Sequence, residues 1–80
     1  MFDNSFDYQA INILYRDVNG KRCEIRAENR HRLNYILQQE NVLTEEDEIL
    51  IVTWGKLLLY NALDPMASGI TKEDLVGFFA

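Results

Sequence analysis

Apolar and polar residues alternate on both sides of a turn in INILYRDVNGKRCEIRA, residues 11–27. Ile11, Ile13 and Tyr15 precede the turn, and Cys23, Ile25 and Ala27 come after it. Period two is the mark of a half-buried strand, so the stretch predicts a β-hairpin. A two-residue Asn19-Gly20 loop would put the two apolar stripes on opposite faces. A three-residue loop, Val18-Asn19-Gly20, pairs Tyr15 with Cys23, Ile13 with Ile25 and Ile11 with Ala27, and both stripes then share one face. A slip of one residue flips every side chain, so burial selects the longer loop. Asp17 suits the first position of a type I turn, and Gly20 the left-handed residue after it. Asn12, Arg16, Arg22, Glu24 and Arg26 then point outward, with Leu14 the apolar exception.

Beyond the hairpin the spacing changes. Leu33, Ile36 and Leu37 recur three and four apart behind Asn29, a good N-cap. They predict a helix over roughly 30–40, ended by Asn41 in a left-handed conformation. Thr44-Glu45-Glu46-Asp47 approximates a capping box, and its acids, with Glu48, would fill a first turn where the helix dipole favours them. This predicts a helix over about 45–63 that stops at Asp64-Pro65, because a residue before proline resists helix. A second hairpin competes: Ile49–Trp54 and Leu57–Ala62 around Gly55-Lys56, supported by the β-branched Ile49, Ile51, Val52 and Thr53. The cap and the acidic first turn favour the helix. Its apolar residues surround nearly the whole circumference, which demands a central or shared position. Residues 65–70 read as a loop with Gly69 as breaker. Thr71 caps a last short helix with Glu73 and Asp74 at its start and Leu75, Phe78 and Phe79 on its apolar side.

The expected fold is therefore α+β, a β-hairpin packed on two to three helices in the order β-β-α-α-α. One small domain spans 1–80, with an N-terminal arm at 1–9, the hairpin at 10–28 and a helical part at 29–80. No internal repeat, low-complexity tract or linker interrupts it.

Composition sharpens this picture in one respect. With 48% apolar residues, 80 residues carry more apolar material than so small a core needs. Both ends are apolar as well, with Met1, Phe2, Phe6 and Tyr8 at one and Val76, Phe78 and Phe79 at the other. Such ends either close the core or meet a partner, including a second copy of the chain. A single cysteine excludes an internal disulfide and fits a reducing compartment. No signal peptide is expected, and Ile49–Leu63 is too short and too interrupted to span a bilayer, so the expectation is a cytoplasmic protein with no membrane partner.

Charge is unevenly placed within a net −5. Residues 10–39 hold six bases (Arg16, Lys21, Arg22, Arg26, Arg30, Arg32) and three acids, whereas residues 40–80 hold two bases and eight acids. This asymmetry suits a charged partner or self-complementary association.

No constellation announces catalysis. One His and one Cys, in different elements, cannot build a zinc site. Asp17-Val18-Asn19-Gly20 resembles the start of a calcium loop, but Lys21, Arg22 and Cys23 occupy positions where ligands would come next, so a turn is the better reading. Cys23 falls on the inner face of the hairpin as a small hydrophobe. His31 stands between Arg30 and Arg32 with no nucleophile near it in sequence. The glycines form no phosphate-cradling motif. No cofactor or metal is expected. The basic hairpin face is interrupted by Glu24, and the helix that would enter a nucleic-acid groove is the acidic one, which disfavours nucleic acid.

These exclusions leave a small acidic, non-catalytic protein-binding module. It would act as a regulatory, accessory or inhibitor protein, of the class that phages and mobile elements encode, by masking a partner's surface. The expected contact residues are Glu45, Glu46, Asp47 and Glu48, with Arg16, Arg22 and Arg26 on the hairpin. A nucleic-acid-binding regulator using the basic hairpin face, and a self-assembling structural protein, are the alternatives.

Overall fold

The strands of the first hairpin are where the alternation places them. In a computed structural model that describes residues 8–80, β1 spans Ile11–Arg16 and β2 spans Arg22–Ala27. Their register pairs Tyr15 with Cys23, Ile13 with Ile25 and Ile11 with Ala27, as the three-residue loop requires. Asp17 builds that loop. Its carbonyl accepts from Gly20 N at 2.9 Å, and its Oδ1 accepts from Asn19 N and Lys21 N, each at 2.9 Å. Gly20 takes the left-handed conformation at φ +81°, which closes a type I turn with a glycine bulge.

Helix α1, Arg30–Leu37, starts where Asn29 Oδ1 accepts from Arg32 N at 2.9 Å, and buries Leu33 and Leu37. It stops sooner than its spacing implies. Among the described non-glycine residues, the left-handed conformation falls on Leu43 (φ 50°) and not on Asn41. Leu43 is buried, and its place in the core holds that backbone against the roughly 1–2 kcal/mol it costs.

The expected helix over 45–63 does not form. Glu48–Trp54 is strand β3 and Leu57–Asn61 is strand β4, joined by Gly55-Lys56. Gly55 sits at φ +59° at the first corner, where a primed two-residue turn calls for glycine. One of the two capping-box bonds does form at Thr44, whose N donates to Asp47 Oδ2 at 2.8 Å, but it closes a turn that leads into β3. The β-branched run and the corner glycine outweigh the local cap, because a cap stabilises a helix only if the residues after it profit from being helical. The segment 29–80 is thus not a helical part. Helix α2, Lys72–Phe79, begins at Thr71 with a complete capping box and buries Leu75 and Phe79.

The architecture is a four-stranded antiparallel sheet with two short helices, in the order β-β-α-β-β-α, and not a hairpin on two to three helices. Strand order is β2-β1-β3-β4, so the two central strands each open a hairpin and the two outer strands close one. One bulge leaves Leu50 without a partner on β1, and another leaves Leu59 without a partner on β3. Ile11, Ile13, Ala27, Ile49 and Val52 on the sheet and Leu33, Leu37, Leu75 and Phe79 on the helices form one buried core with Leu43. Trp54 closes one end of it, edge-to-face with Phe79 at 5.1 Å and with Phe78 at 6.1 Å. The apolar C-terminus therefore closes the core through Phe79, while Phe78 stays exposed. Most of the expected N-terminal arm, residues 1–7, lies outside the described residues.

Both helices lie on the face of Ile11 and Ile13. The opposite face carries Asn12, Leu14, Arg16, Arg22, Glu24, Arg26, Glu48, Ile51, Thr53 and Leu58, none of them buried. Leu14 has its explanation there, since it stands directly across from Ile51.

Candidate functional site

The seven residues expected to contact a partner fall on two adjoining surfaces. Glu45 and Glu46 occupy the tip of the turn before β3, both exposed. Asp47 is committed to that turn, accepting from Thr44 N and, at 3.3 Å, from Thr44 Oγ1. Glu48 opens β3 and pairs with Arg16 at 3.2 Å across the β1–β3 ladder. Without a helix at 45–63 there is no dipole to hold these acids. Their clustering serves a turn, and beyond it they offer negative charge toward solvent.

Glu45, Asp47 and Glu48 border a groove of about 730 Å³ at the end of the sheet. Glu40, Glu45, Asp47, Glu48 and Glu73 stand around it, and Leu43, Ile49, Tyr60 and Ile70 supply apolar lining. Two segments wall it, the chain after α1 and the approach to α2. Lys72 ties them together, donating from Nζ to Gln39 O at 2.6 Å and Val42 O at 2.7 Å. The one base among the described lining residues is thus spent on backbone carbonyls, and the mouth is left to carboxylates. A groove with carboxylates at its mouth and hydrocarbon along its walls suits a lysine or arginine side chain, whose stem packs on apolar surface while its head stays with charge.

The arginines lie on the helix-free face. Arg16 and Arg22 are cross-strand neighbours, and Arg26 is at the far end of β2, donating to Asn12 Oδ1 at 3.4 Å. Glu24 stands between Arg22 and Arg26 on the same strand face, so the arginines form no unbroken basic track. The Arg16–Glu48 pair is where the basic face meets the acidic groove. It is exposed on both sides, so it contributes about 0–1 kcal/mol and serves mainly to fix the boundary between the two surfaces.

Sequence reasoning does not reach Glu40, Tyr60, Ile70, Lys72 and Glu73 as parts of this site. They come from three separate stretches of chain, and no local pattern links them. Pairing of β3 with β4 brings Tyr60 to the groove with Ile49, and the packing of α1 on α2 with the Lys72 anchor brings Glu73 to it with Glu40.

Among the described residues no three His, Cys, Asp or Glu side chains converge as a metal ion would require. Asp17 spends its Oδ1 on the turn amides, as a turn reading demands. Cys23 directs its thiol at Asp17 Oδ2, 3.9 Å away, and at Lys21 O. The neighbouring Tyr15 hydroxyl is held above its ordinary pKa, first by burial and then by Cys23, Asp47 and Asp17. His31 is exposed on α1. Among the described residues no helix is long and apolar enough to cross a membrane. The chain matches no protein-family model, and no curated protein and no solved structure matches it.

Proposed function

We propose that this chain is a small cytoplasmic, non-catalytic protein-binding module, regulatory, accessory or inhibitory in role, that acts by masking a basic surface of another protein. The observation that carries this reading is the groove at the end of the sheet, whose lining combines Leu43, Ile49, Tyr60 and Ile70 with five carboxylates and a single, internally bonded lysine. Carboxylates around an open groove steer a basic partner into encounter, and apolar contact inside it slows release. Of the acids expected to make contact, Glu45, Glu46 and Glu48 keep side chains at or beyond the mouth, whereas Asp47 is occupied by its turn. Arg16, Arg22 and Arg26 extend the contact onto the helix-free face, where an acidic rim of the same partner would meet them.

The experiment is capture from the native lysate by tagged protein, with and without nuclease, run beside the triple variant Glu45→Lys, Glu46→Lys and Glu48→Lys. The expected result is a stoichiometric protein band that survives nuclease and is lost from the variant, while circular dichroism shows the variant folded. Retention of the band by the variant overturns the groove as the binding site. Companions that disappear on nuclease treatment, and that depend on Arg22 and Arg26, overturn the protein-partner reading in favour of nucleic acid.

A further inference from the structure

Among the described residues the sheet has two outer strands, β2 and β4, and their rims differ. Strand β2 carries Arg22, Glu24 and Arg26 on its outward face, charged side chains of the kind that keep an edge from recruiting another strand. Strand β4 reads LLLYN, with no charge and no proline. Leu57 and Leu58 are about half exposed, at 47% and 53%, one on each face of the sheet. Exposed apolar groups continue on both sides of the strand. Leu63 and Met66 come after it in the chain, and Phe78 of α2 overhangs it. Between α2 and β4 lies a small apolar cleft of about 170 Å³, lined by Val52, Leu59, Tyr60, Leu75 and Phe78 among others. A space of that order accepts one large apolar side chain.

The charges that bracket β4 indicate what pairs with it. Lys56 stands just before the strand, and Asp64 lies in the turn that follows it. When two copies of β4 run antiparallel about a two-fold axis, the Lys56 end of each lies against the Asp64 end of the other, twice over. Nothing within the strand repels, although the whole chain is acidic. The ladder stops at Asn61, whose carbonyl accepts from Asp64 N at 3.0 Å and whose Oδ1 accepts from Leu63 N at 3.0 Å in the turn that follows. Backbone pairing over five residues falls short of the roughly 800 Å² per partner that a stable interface removes from water. The exposed Leu57, Leu58, Met66 and Phe78 beside the strand are the groups that make up the difference.

We propose that β4 is a self-association edge: two copies pair antiparallel through Leu57–Asn61 and form a closed dimer with one continuous eight-stranded sheet. A two-fold contact of this kind is self-complementary and closes, so it does not propagate into a fibre. The seam shares Tyr60 with the groove but leaves the carboxylates at Glu45–Glu48 outside it, and the variants at Lys56, Leu58 and Asp64 spare the groove lining, so the two proposals are tested separately.

Sedimentation equilibrium of the full chain tests it. The expected mass is twice the 9.4 kDa of one chain at about 100 µM. Leu58→Lys, a change at a half-exposed position, is expected to raise the dimer dissociation constant at least about tenfold, with an unchanged circular dichroism spectrum. Lys56→Asp and Asp64→Lys are each expected to weaken the dimer, and the two together to restore it, an outcome that mere damage to the fold would not produce. Arg22→Glu, on the opposite edge, is expected to leave the dimer dissociation constant unchanged. A monomer at that concentration overturns the proposal, as does a dimer indifferent to the β4 variants. Open-ended assemblies that respond to both Arg22 and Leu58 also overturn it, in favour of head-to-tail pairing of β2 with β4.

Discussion

Tyr15 is the residue whose ionisation the fold resists most clearly. It ends the apolar stripe of β1, pairs with Cys23 on one side and Ile49 on the other, and has Asp17 and Asp47 near enough to oppose a phenolate. Burial is the first cause of its raised pKa, and the neighbouring thiol and carboxylates add to it. A phenol harder to deprotonate in the folded chain than in the unfolded one contributes its full stability below the unfolded pKa of 10.0 and loses it as pH rises through the folded value. The expected result is that the wild-type chain and Tyr15→Phe differ in unfolding free energy by a constant amount up to about pH 9, and that above pH 10 the wild type declines relative to the variant. Urea titrations at stepped pH check this, and parallel curves throughout would show that Tyr15 ionises as freely in the fold as out of it.

At the scale of elements, two stretches carry nearly the same opening, Thr44-Glu45-Glu46-Asp47 and Thr71-Lys72-Glu73-Asp74. Both close the same bond, with Thr44 N on Asp47 Oδ2 at 2.8 Å and Thr71 N on Asp74 Oδ2 at 2.9 Å. Only the second starts a helix. The residues after it, Leu75-Val76-Gly77-Phe78-Phe79, bury Leu75 and Phe79 from one helical face. The first opens instead onto the β-branched run of β3. Strands β3 and β4 pass for a helix for a further reason, their bulges. With Leu50 unpaired, Ile49 and Val52 both face the core, and with Leu59 unpaired, Leu57 and Tyr60 share the same side. Each pair is three apart, the spacing of a helix face, so a bulged strand imitates a helix in the sequence. The first hairpin has no bulge within its paired residues and is legible down to its register. The acids and arginines of the candidate site are legible as charge, but the groove is not, because its floor and far wall come from residues that only the tertiary fold assembles. The cap at α2 is expected to matter more than its twin. Thr71→Ala should cost about 1 kcal/mol, within a range of roughly 0.5–2, and Thr44→Ala less, since it releases a turn and no helix depends on it. Chemical denaturation of the two variants side by side measures the difference, and equal costs would mean that α2 contributes little to the folded state.

At the scale of the whole molecule, the order β-β-α occurs twice, and the sheet order β2-β1-β3-β4 reads the same from either end when the two units are exchanged. Nothing in the residues betrays this, since the first unit turns on Asp17–Gly20 and the second on Gly55-Lys56. The resemblance of the units does not make them independent. Ile11 and Ile13 of β1 are fully buried, and they lie directly across from Trp54 and Val52 of β3. Leu33 and Leu37 of α1 share one core with Leu75 and Phe79 of α2, and Asn34 Nδ2 donates to Phe79 O at 2.8 Å. Each unit alone would leave one side of its inner strand and the inner face of its helix in water. Chains of about 40 residues seldom bury enough surface to fold without a disulfide, a metal or a partner. Fragments 1–41 and 42–80 are therefore each expected to lack a cooperative unfolding transition, and to regain native circular dichroism when mixed in equal amounts, because the β1–β3 seam and the α1–α2 contact can form between chains as within one. A titration of one fragment with the other, monitored in the far ultraviolet and by the fluorescence of Trp54, checks this. A fragment that melts cooperatively alone would place the stabilising contacts within one unit, and the seam between β1 and β3 would then be a junction between two small folds and not the centre of one.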